Sequence, residues 1–331
     1  MLVAPRTRPE EAFLGPDLDR LGGEVVRIRS RDGLRLSARW LENEPADPGW
    51  RPDPREAIIL LHGYSGSVAP DLVEYGPVLR RTAGVLGLDC RGHGDSDAGE
   101  TTFGLLEVDD VGGALAWLGE RGIRRVVLAG TSMGGIVAIA ATVVLGDGAL
   151  AAVDADPDAP RLTSPAPRPR IVGVVAEAVP AELPTVVANR IRGPGPIRRW
   201  LARRAFAIAA NRLGADPRAT EPIRVLPLLE DLPVLLIHGE ADTTVPASEG
   251  RRLAAALGPG GAHWTIPGAG HGLGRRTAAG AWDERISGFL RHAFSAGREP
   301  DVALGILGSP AVEPSDVRDA VPPPEEADQL A

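Results

Sequence analysis

The chain contains no lysine, so all 36 of its basic residues are arginine. That absence excludes a Walker-type phosphate loop, a lysine Schiff base and a pyridoxal phosphate attachment. Cysteine is nearly missing too. Cys90 stands alone among 331 residues, so an internal disulfide is impossible, nothing points to an oxidising compartment, and the expected location is cytoplasmic. No apolar run reaches the roughly 18 residues that cross a bilayer. Residues 1–20 carry acids and prolines where a signal peptide needs an apolar core. Basic charge is also in deficit: the formal net charge is -8, and no compact basic and aromatic module offsets it, which argues against a nucleic-acid partner. No His and acid pair within a helical pattern has the spacing of a zinc site and no Cys/His cluster occurs, so neither a metal nor a cofactor is expected.

What is present suits one large α/β domain, since 44% of the residues are apolar and 24% charged. Short apolar runs over residues 24–29, 34–41, 57–62, 84–89, 125–130, 171–176, 233–238 and 262–266 read as eight strands. Helical patterns fall between them at 70–81, 105–121, 133–145, 248–257 and 281–294. The first two strands alternate apolar with charged residues around Arg31-Asp32-Gly33, as an antiparallel edge hairpin does, whereas the later strands are continuously apolar. A mixed, mostly parallel sheet covered by helices on both faces is therefore expected.

Two segments break the alternation. Residues 147–170 are rich in Ala, Asp and Pro and read as a surface excursion. Residues 180–213 are helical in pattern where a short connection would suffice, and are expected to form a small cap inserted over the sheet. Within it Ile197, Trp200, Leu201 and Ile208 share one helical face, Arg198, Arg199 and Arg203 lie off it, and Arg204 and Arg212 lie near it. Such arginines either snorkel along a solvated face or contact carboxylate-bearing substrates. The expected organisation is an N-terminal extension over 1–23, the α/β domain over 24–296, and an acidic, proline-rich tail over 297–331 with little core-forming pattern.

The most informative stretch is Gly130-Thr131-Ser132-Met133-Gly134-Gly135, which ends an apolar strand and opens an apolar helix. A serine at such a break is the build of a nucleophile elbow. Its backbone is strained and its hydroxyl pushed outward, so the positions two before and two after it must lack a bulky side chain, and Gly130 and Gly134 meet that demand. Four further segments lie at strand ends: His62-Gly63-Tyr64-Ser65-Gly66-Ser67, Asp89-Cys90-Arg91-Gly92-His93-Gly94-Asp95-Ser96, His238-Gly239-Glu240-Ala241-Asp242 with Thr243 to Pro246, and Gly268-Ala269-Gly270-His271-Gly272. An open α/β sheet places its active site there. In this order the motifs resemble the α/β-hydrolase family over about residues 24–294, within it the serine aminopeptidase-like, prolyl-oligopeptidase-like and lysophospholipase-like branch.

Serine is a weak nucleophile and needs a base, for which His271 is the candidate among six histidines, because it follows the candidate acid loop in a glycine-rich turn. His62 and His93 sit in glycine-flanked loops that histidines order through backbone hydrogen bonds; His238, His263 and His292 read as structural. An imidazole base needs a carboxylate to orient it. Asp242 fits that role, in a tight loop after a buried strand, and the resemblance places the acid there; Glu240 two residues away and Glu177 after the preceding strand are the alternatives. The backbone N–H of Met133 is one oxyanion donor by geometry, and the resemblance implies that the backbone N–H of Tyr64 is the second, with His62 and Gly63 shaping its loop. The Tyr64 side chain lines an acyl or leaving-group pocket or packs against the cap. Arg91 to Ser96 reads as a supporting turn and Cys90 as buried filler. The expectation is a serine hydrolase acting on a small-molecule ester, with an aminopeptidase-like or thioester hydrolase, or a catalytically idle binding scaffold, as alternatives.

Overall fold

Burial sorts the strands into two kinds, and that sorting builds the sheet. In the computed structural model, which describes residues 2–3, 14–45, 50–64, 66–146, 168–191, 193–213, 216–229 and 231–296, β1 (Glu24–Arg29) buries only Val26 and Ile28. By contrast β3 (Glu56–Leu61), β4 (Gly84–Leu88) and β7 (Val234–Gly239) bury every residue. With β2 (Arg35–Leu41), β5 (Arg125–Thr131), β6 (Arg170–Glu177) and β8 (Gly261–Ile266) they form one eight-stranded sheet in the order β1-β2-β4-β3-β5-β6-β7-β8. The half-buried hairpin β1–β2 pairs antiparallel at one edge, from Glu24 opposite Trp40 to Arg29 opposite Arg35, and β2 pairs antiparallel with β4. All other pairings within this sheet are parallel, as expected of strands covered on both faces. The excursion up to residue 167 and the tail over 297–331 lie outside the described residues.

Alternation along each central strand divides the core in two. Ile59, Leu61 and Leu128 face one side together with α3 (Glu107–Glu120) and α4 (Met133–Leu145). Ile58, Leu60, Val127 and Ala129 face the other, with α2 (Ala69–Leu79) and the C-terminal helix Ala279–Ala296. A short helix α1 (Gly15–Leu21), within the segment read as an extension, leans Leu18 and Leu21 against that second core. β3 leads through α2 to β4 on one side and β4 leads through α3 back across to β5, so the strand order reverses between β3 and β5. Their carboxyl ends open onto a crevice at that switch point.

Between β6 and β7 lie α5 (Leu183–Arg190), α6 (Gly195–Leu213), a 3-10 turn over Pro217–Thr220 and α7 (Pro222–Val225). Helices form where helical periodicity is legible, but α6 is turned the other way from the usual amphipathic arrangement. Ala202 is buried and Phe206 packs on the core, while the Ile197, Trp200, Leu201 and Ile208 face is exposed. After β7 come α8 (Ala247–Ala254), α9 (Gly274–Thr277) and α10 (Ala279–Ala296).

The edge hairpin is held by a glycine contact. Gly113 in α3 lies so close to the Arg29 carbonyl that a Cβ would overlap it. Replacing glycine by alanine inside an open helix stabilises by roughly 0.5–1 kcal/mol. Here Gly113→Ala is expected instead to cost about 1–3 kcal/mol, the range for overpacking. Urea unfolding measures it, and an unchanged or raised midpoint would contradict the close approach.

Candidate active site

Ser132 joins β5 to α4 with φ 54° and ψ -112°, a left-handed conformation that a residue with a Cβ adopts only under constraint. Its N–H donates to the Glu177 carbonyl at 2.8 Å, and its own carbonyl accepts from the Ile136 N–H at 3.1 Å. A Cβ on Gly130 would strike the backbone of Gly134, and one on Gly134 would strike the Leu61 carbonyl, so both glycines let β5, α4 and the end of β3 close on one another. Gly135 meets Val179 in the same way. Met133 opens α4, where the first N–H groups find no carbonyl within the helix.

The chain leaving β3 passes directly beside the elbow. A Cβ on Gly63 would lie 3.7 Å from the Thr131 carbonyl oxygen and 3.8 Å from the Ser132 Cβ. His62 orders this exit: its Nε2 accepts from the Cys90 N–H at 3.1 Å, which assigns the proton to Nδ1, 2.7 Å from the Gly63 carbonyl. Burial, with the His93 ring 4.9 Å away, lowers the His62 pKa to about 3. His93 binds the Arg91 carbonyl through Nδ1 at 2.9 Å. The half-buried Tyr64 ring packs 5.6 Å from Phe103 and 6.0 Å from His93. Phe103 itself has φ 56°, and Glu107 holds its turn by accepting from the Thr102 N–H and hydroxyl, each at 2.7 Å, and from the Gly104 N–H at 2.8 Å.

Asp242 and His271 meet from two other loops. Asp242 Oδ2 lies 2.7 Å from His271 Nδ1, while Oδ1 accepts from the Thr244 and Val245 N–H groups, each at 2.8 Å. The Asp242 side chain is fully buried and His271 about one-quarter exposed. Behind them the Nε2 of His238 lies 2.9 Å from the Val245 carbonyl and 3.7 Å from Asp242 Oδ2. Gly239 allows the acid loop to cross the Ala269 carbonyl, where a Cβ would not fit. Gly272, at φ 63°, brings the His271 loop against Thr131, its notional Cβ 2.9 Å from Thr131 Cγ2. Loops following β3, β6 and β8 thus touch the elbow on three sides.

Glu177 has a different set of partners. Its carboxylate accepts from the Gly274 N–H at 2.9 Å and the Trp282 indole at 3.3 Å, so it pins the chain that follows His271. Burial raises its pKa, against the pull of those donors. Glu240 is exposed. Trp282 also stacks on Tyr75 at 5.0 Å, and the Tyr75 hydroxyl donates to the Gly272 carbonyl at 3.3 Å. Cys90 is fully buried, and burial pushes its thiol well above the usual range, which keeps it protonated and unreactive. His263 is half-buried on β8 and His292 lies on α10.

The motif at 89–96, read from Arg91 onward as a supporting turn, has partners that the sequence alone did not name. Asp89 Oδ1 accepts from the Val68 N–H at 2.7 Å and its Oδ2 from the Asp95 N–H at 3.3 Å, which ties the exits of β3 and β4 together. Arg91 is buried between Asp110, at 2.8 Å, and Asp32, also at 2.8 Å. The available signal was an acid at the end of a buried strand, Asp89, and one inside an apolar helix pattern, Asp110, positions where an unpaired charge is too costly to keep. Among the described residues no three His, Cys, Asp or Glu side chains are grouped to hold a metal ion.

The buried His62 couples this region to pH. In the unfolded chain a histidine titrates near 6.5, whereas in the fold His62 stays neutral down to about 3. The unfolded state therefore binds more protons in acid, so stability is full above the unfolded pKa and declines as pH falls towards the folded one, by up to about 1.4 kcal/mol per pH unit. Unfolding free energies of the wild type and His62→Asn over about pH 6 to 4 are expected to show a slope shallower by close to one proton in the variant. Equal slopes would show that His62 does not titrate in this way.

Comparison with known proteins agrees with this architecture. The sequence profile described as the alpha/beta hydrolase family matches residues 58–285. The uncharacterized protein YfhR of Escherichia coli O157:H7 is 26% identical over 250 residues, spanning 74% of this chain and 71% of its own. Among solved structures, the Pyrococcus furiosus esterase Pf2001 has a TM-score of 0.58 at 22% identity, covering 88% of this chain and 99% of that one. A thermophilic esterase from Thermogutta terrifontis has a TM-score of 0.52 at 21% identity, covering 82% of this chain and 99% of that one. At such identities these structural likenesses speak for the fold. The profile spans most of the chain and encloses the elbow, its flanking loops and the strand order reversal, so the chain belongs to the alpha/beta hydrolase family.

Proposed function

We propose that the protein is a serine hydrolase that cleaves a carboxylic ester of a small molecule through an acyl-enzyme, with Ser132 as nucleophile, His271 as general base and acid, and Asp242 as the orienting carboxylate. The observation that carries this reading is the 2.7 Å contact between Asp242 Oδ2 and His271 Nδ1 beside a strained elbow serine. With Nδ1 engaged, Nε2 of His271 is the nitrogen left to serve the serine. Its acceptance of the Ser132 hydroxyl proton accompanies attack of Oγ on the ester carbon and formation of the new C–O bond.

The carbonyl oxygen becomes an oxyanion, for which the N–H groups of Met133 and Tyr64 are the assigned donors, each worth on the order of 3 kcal/mol of barrier. Collapse breaks the bond to the alcohol, which leaves with the proton held by His271. Water then gives a proton to His271 and attacks the acyl-enzyme, and the carboxylic acid departs as Ser132 recovers its proton. An ester is favoured over an amide by the esterases of similar fold, Pf2001 and the Thermogutta terrifontis enzyme.

Labelling with a fluorophosphonate probe tests the nucleophile. Wild type is expected to label and Ser132→Ala to lose the label; an unlabelled wild type, or equal labelling of both, refutes the assignment. The acid is tested separately. Asp242→Asn is expected to lower turnover of p-nitrophenyl esters by roughly 10⁴-fold. Glu177→Gln, which only pins the following turn, should stay within about tenfold of wild type and lose thermal stability instead, because a buried charge-assisted hydrogen bond is weakened. Comparable losses of turnover in the two variants would overturn the choice of Asp242.

A further inference from the structure

Helix α6 is apolar on two opposite sides. Ala202 is fully buried and Phe206 packs on the core beneath the helix, yet Ile197, Trp200, Leu201 and Ile208 are 53%, 58%, 39% and 69% exposed. At 3.6 residues per turn Ile197, Leu201, Arg204 and Ile208 line up in one outward stripe, with Trp200 at its margin. The same helix carries five arginines and no acid, in a chain whose net charge is -8. Arg203 and Arg204 are exposed, and the Arg204 guanidinium lies 5.5 Å over the Trp200 ring.

We propose that this face of α6 docks onto an anionic lipid surface. Aliphatic side chains and a tryptophan with arginines beside them are the composition that inserts into a headgroup layer, the apolar groups entering and the guanidinium groups remaining with the phosphates. The overall negative charge does not oppose this, since acids more than about 10 Å from the contact are screened at physiological salt while the local arginines act directly. The stripe from Ile197 to Ile208 is about 16 Å long and one helix wide. A specific protein partner needs about 800 Å² on each side, more than such a stripe provides. A second copy docking by a twofold axis would set arginines against arginines.

The surface is also joined to the candidate site. α6 packs against α5 and the 3-10 turn Pro217–Thr220, whose Thr220 hydroxyl donates to the Phe103 carbonyl at 3.4 Å, and the Phe103 ring lies against Tyr64. A docked α6 would therefore hold the rim of that site near the lipid headgroups. The docking claim rests on α6 alone and does not require the hydrolase assignment.

Flotation of the full chain with phosphatidylcholine vesicles, with and without phosphatidylglycerol, tests it. Binding is expected with the anionic vesicles, weakly or not at all with neutral ones, and should fall as salt is raised. Trp200→Ser with Ile208→Ser should weaken it at least tenfold, because the two most exposed of the four apolar side chains are removed. Arg203→Gln with Arg204→Gln should weaken it roughly 25-fold, about fivefold per charge. All four positions are exposed, so unchanged melting curves would establish that the variants remain folded. Absence of binding to the anionic vesicles, or equal binding by wild type and both variants, overturns the proposal. So does a concentration-dependent dimer that the Trp200/Ile208 variant abolishes without any vesicle binding, or binding to polyaspartate in place of vesicles.

Discussion

The strained backbone of Ser132 is the constraint on which the rest of the structure depends. A residue with a Cβ at φ 54° and ψ -112° costs of order 1–3 kcal/mol, and nothing local repays it. Repayment comes from α4, which buries eleven of its thirteen residues, among them Ile136, Val137, Ile139 and Leu145. Each large side chain of that kind contributes about 1.5–3 kcal/mol on burial, so the helix outweighs the strain several times over. The elbow can form only because Gly130 and Gly134 let the strand, the helix and the end of β3 close to backbone contact. A methyl group at either position would force apart the elements whose packing sustains the strain.

Around that point the loops are pinned mainly by buried carboxylates. Asp89 binds backbone N–H groups of the chains leaving β3 and β4, Glu107 those of the Phe103 turn, Asp242 those of its own loop, and Glu177 that of Gly274. Asp110 performs the same service for the Arg91 N–H while pairing with its guanidinium. Charged acceptors make stronger hydrogen bonds than neutral ones, and low-dielectric surroundings make the loss of either partner expensive. A crevice lined by loops is held in this way nearly as firmly as the sheet beneath it. Asp242 differs from its fellow pins in having one oxygen directed at a histidine, and the proposed chemistry grows out of that difference.

Much of the fold was legible because the signals were local. Continuous apolar runs marked β3, β4, β5, β6 and β7 to within a residue or two, and alternating charge marked the β1–β2 hairpin. The elbow was readable because backbone sterics at Ser132 dictate which neighbours must be glycine. Other features depended on contacts between distant segments. Asp242 and Glu177 both follow buried strands and read alike along the chain, yet one meets His271 and the other meets Gly274 and Trp282. The need for glycine at position 113 arises from the Arg29 carbonyl, far away in sequence.

Helix α6 marks the boundary most sharply. Its spacing of Ile197, Trp200, Leu201 and Ile208 defines an apolar face from the sequence alone, because helical geometry fixes which side chains share a side. Which way that face points is a tertiary outcome: Ala202 is buried and Phe206 packs on the core, so the larger stripe faces outward. By itself the sequence determined the period of each element, the glycines that its turns demand and the order of its chemistry-bearing loops, all set by interactions within a few residues. Tertiary structure decided which carboxylate reaches the histidine, which glycines admit a neighbouring backbone and which apolar face is left to solvent. Those outcomes depend on packing between segments far apart in the chain, where burial and steric fit, rather than local conformation, choose among arrangements that the sequence pattern leaves equal.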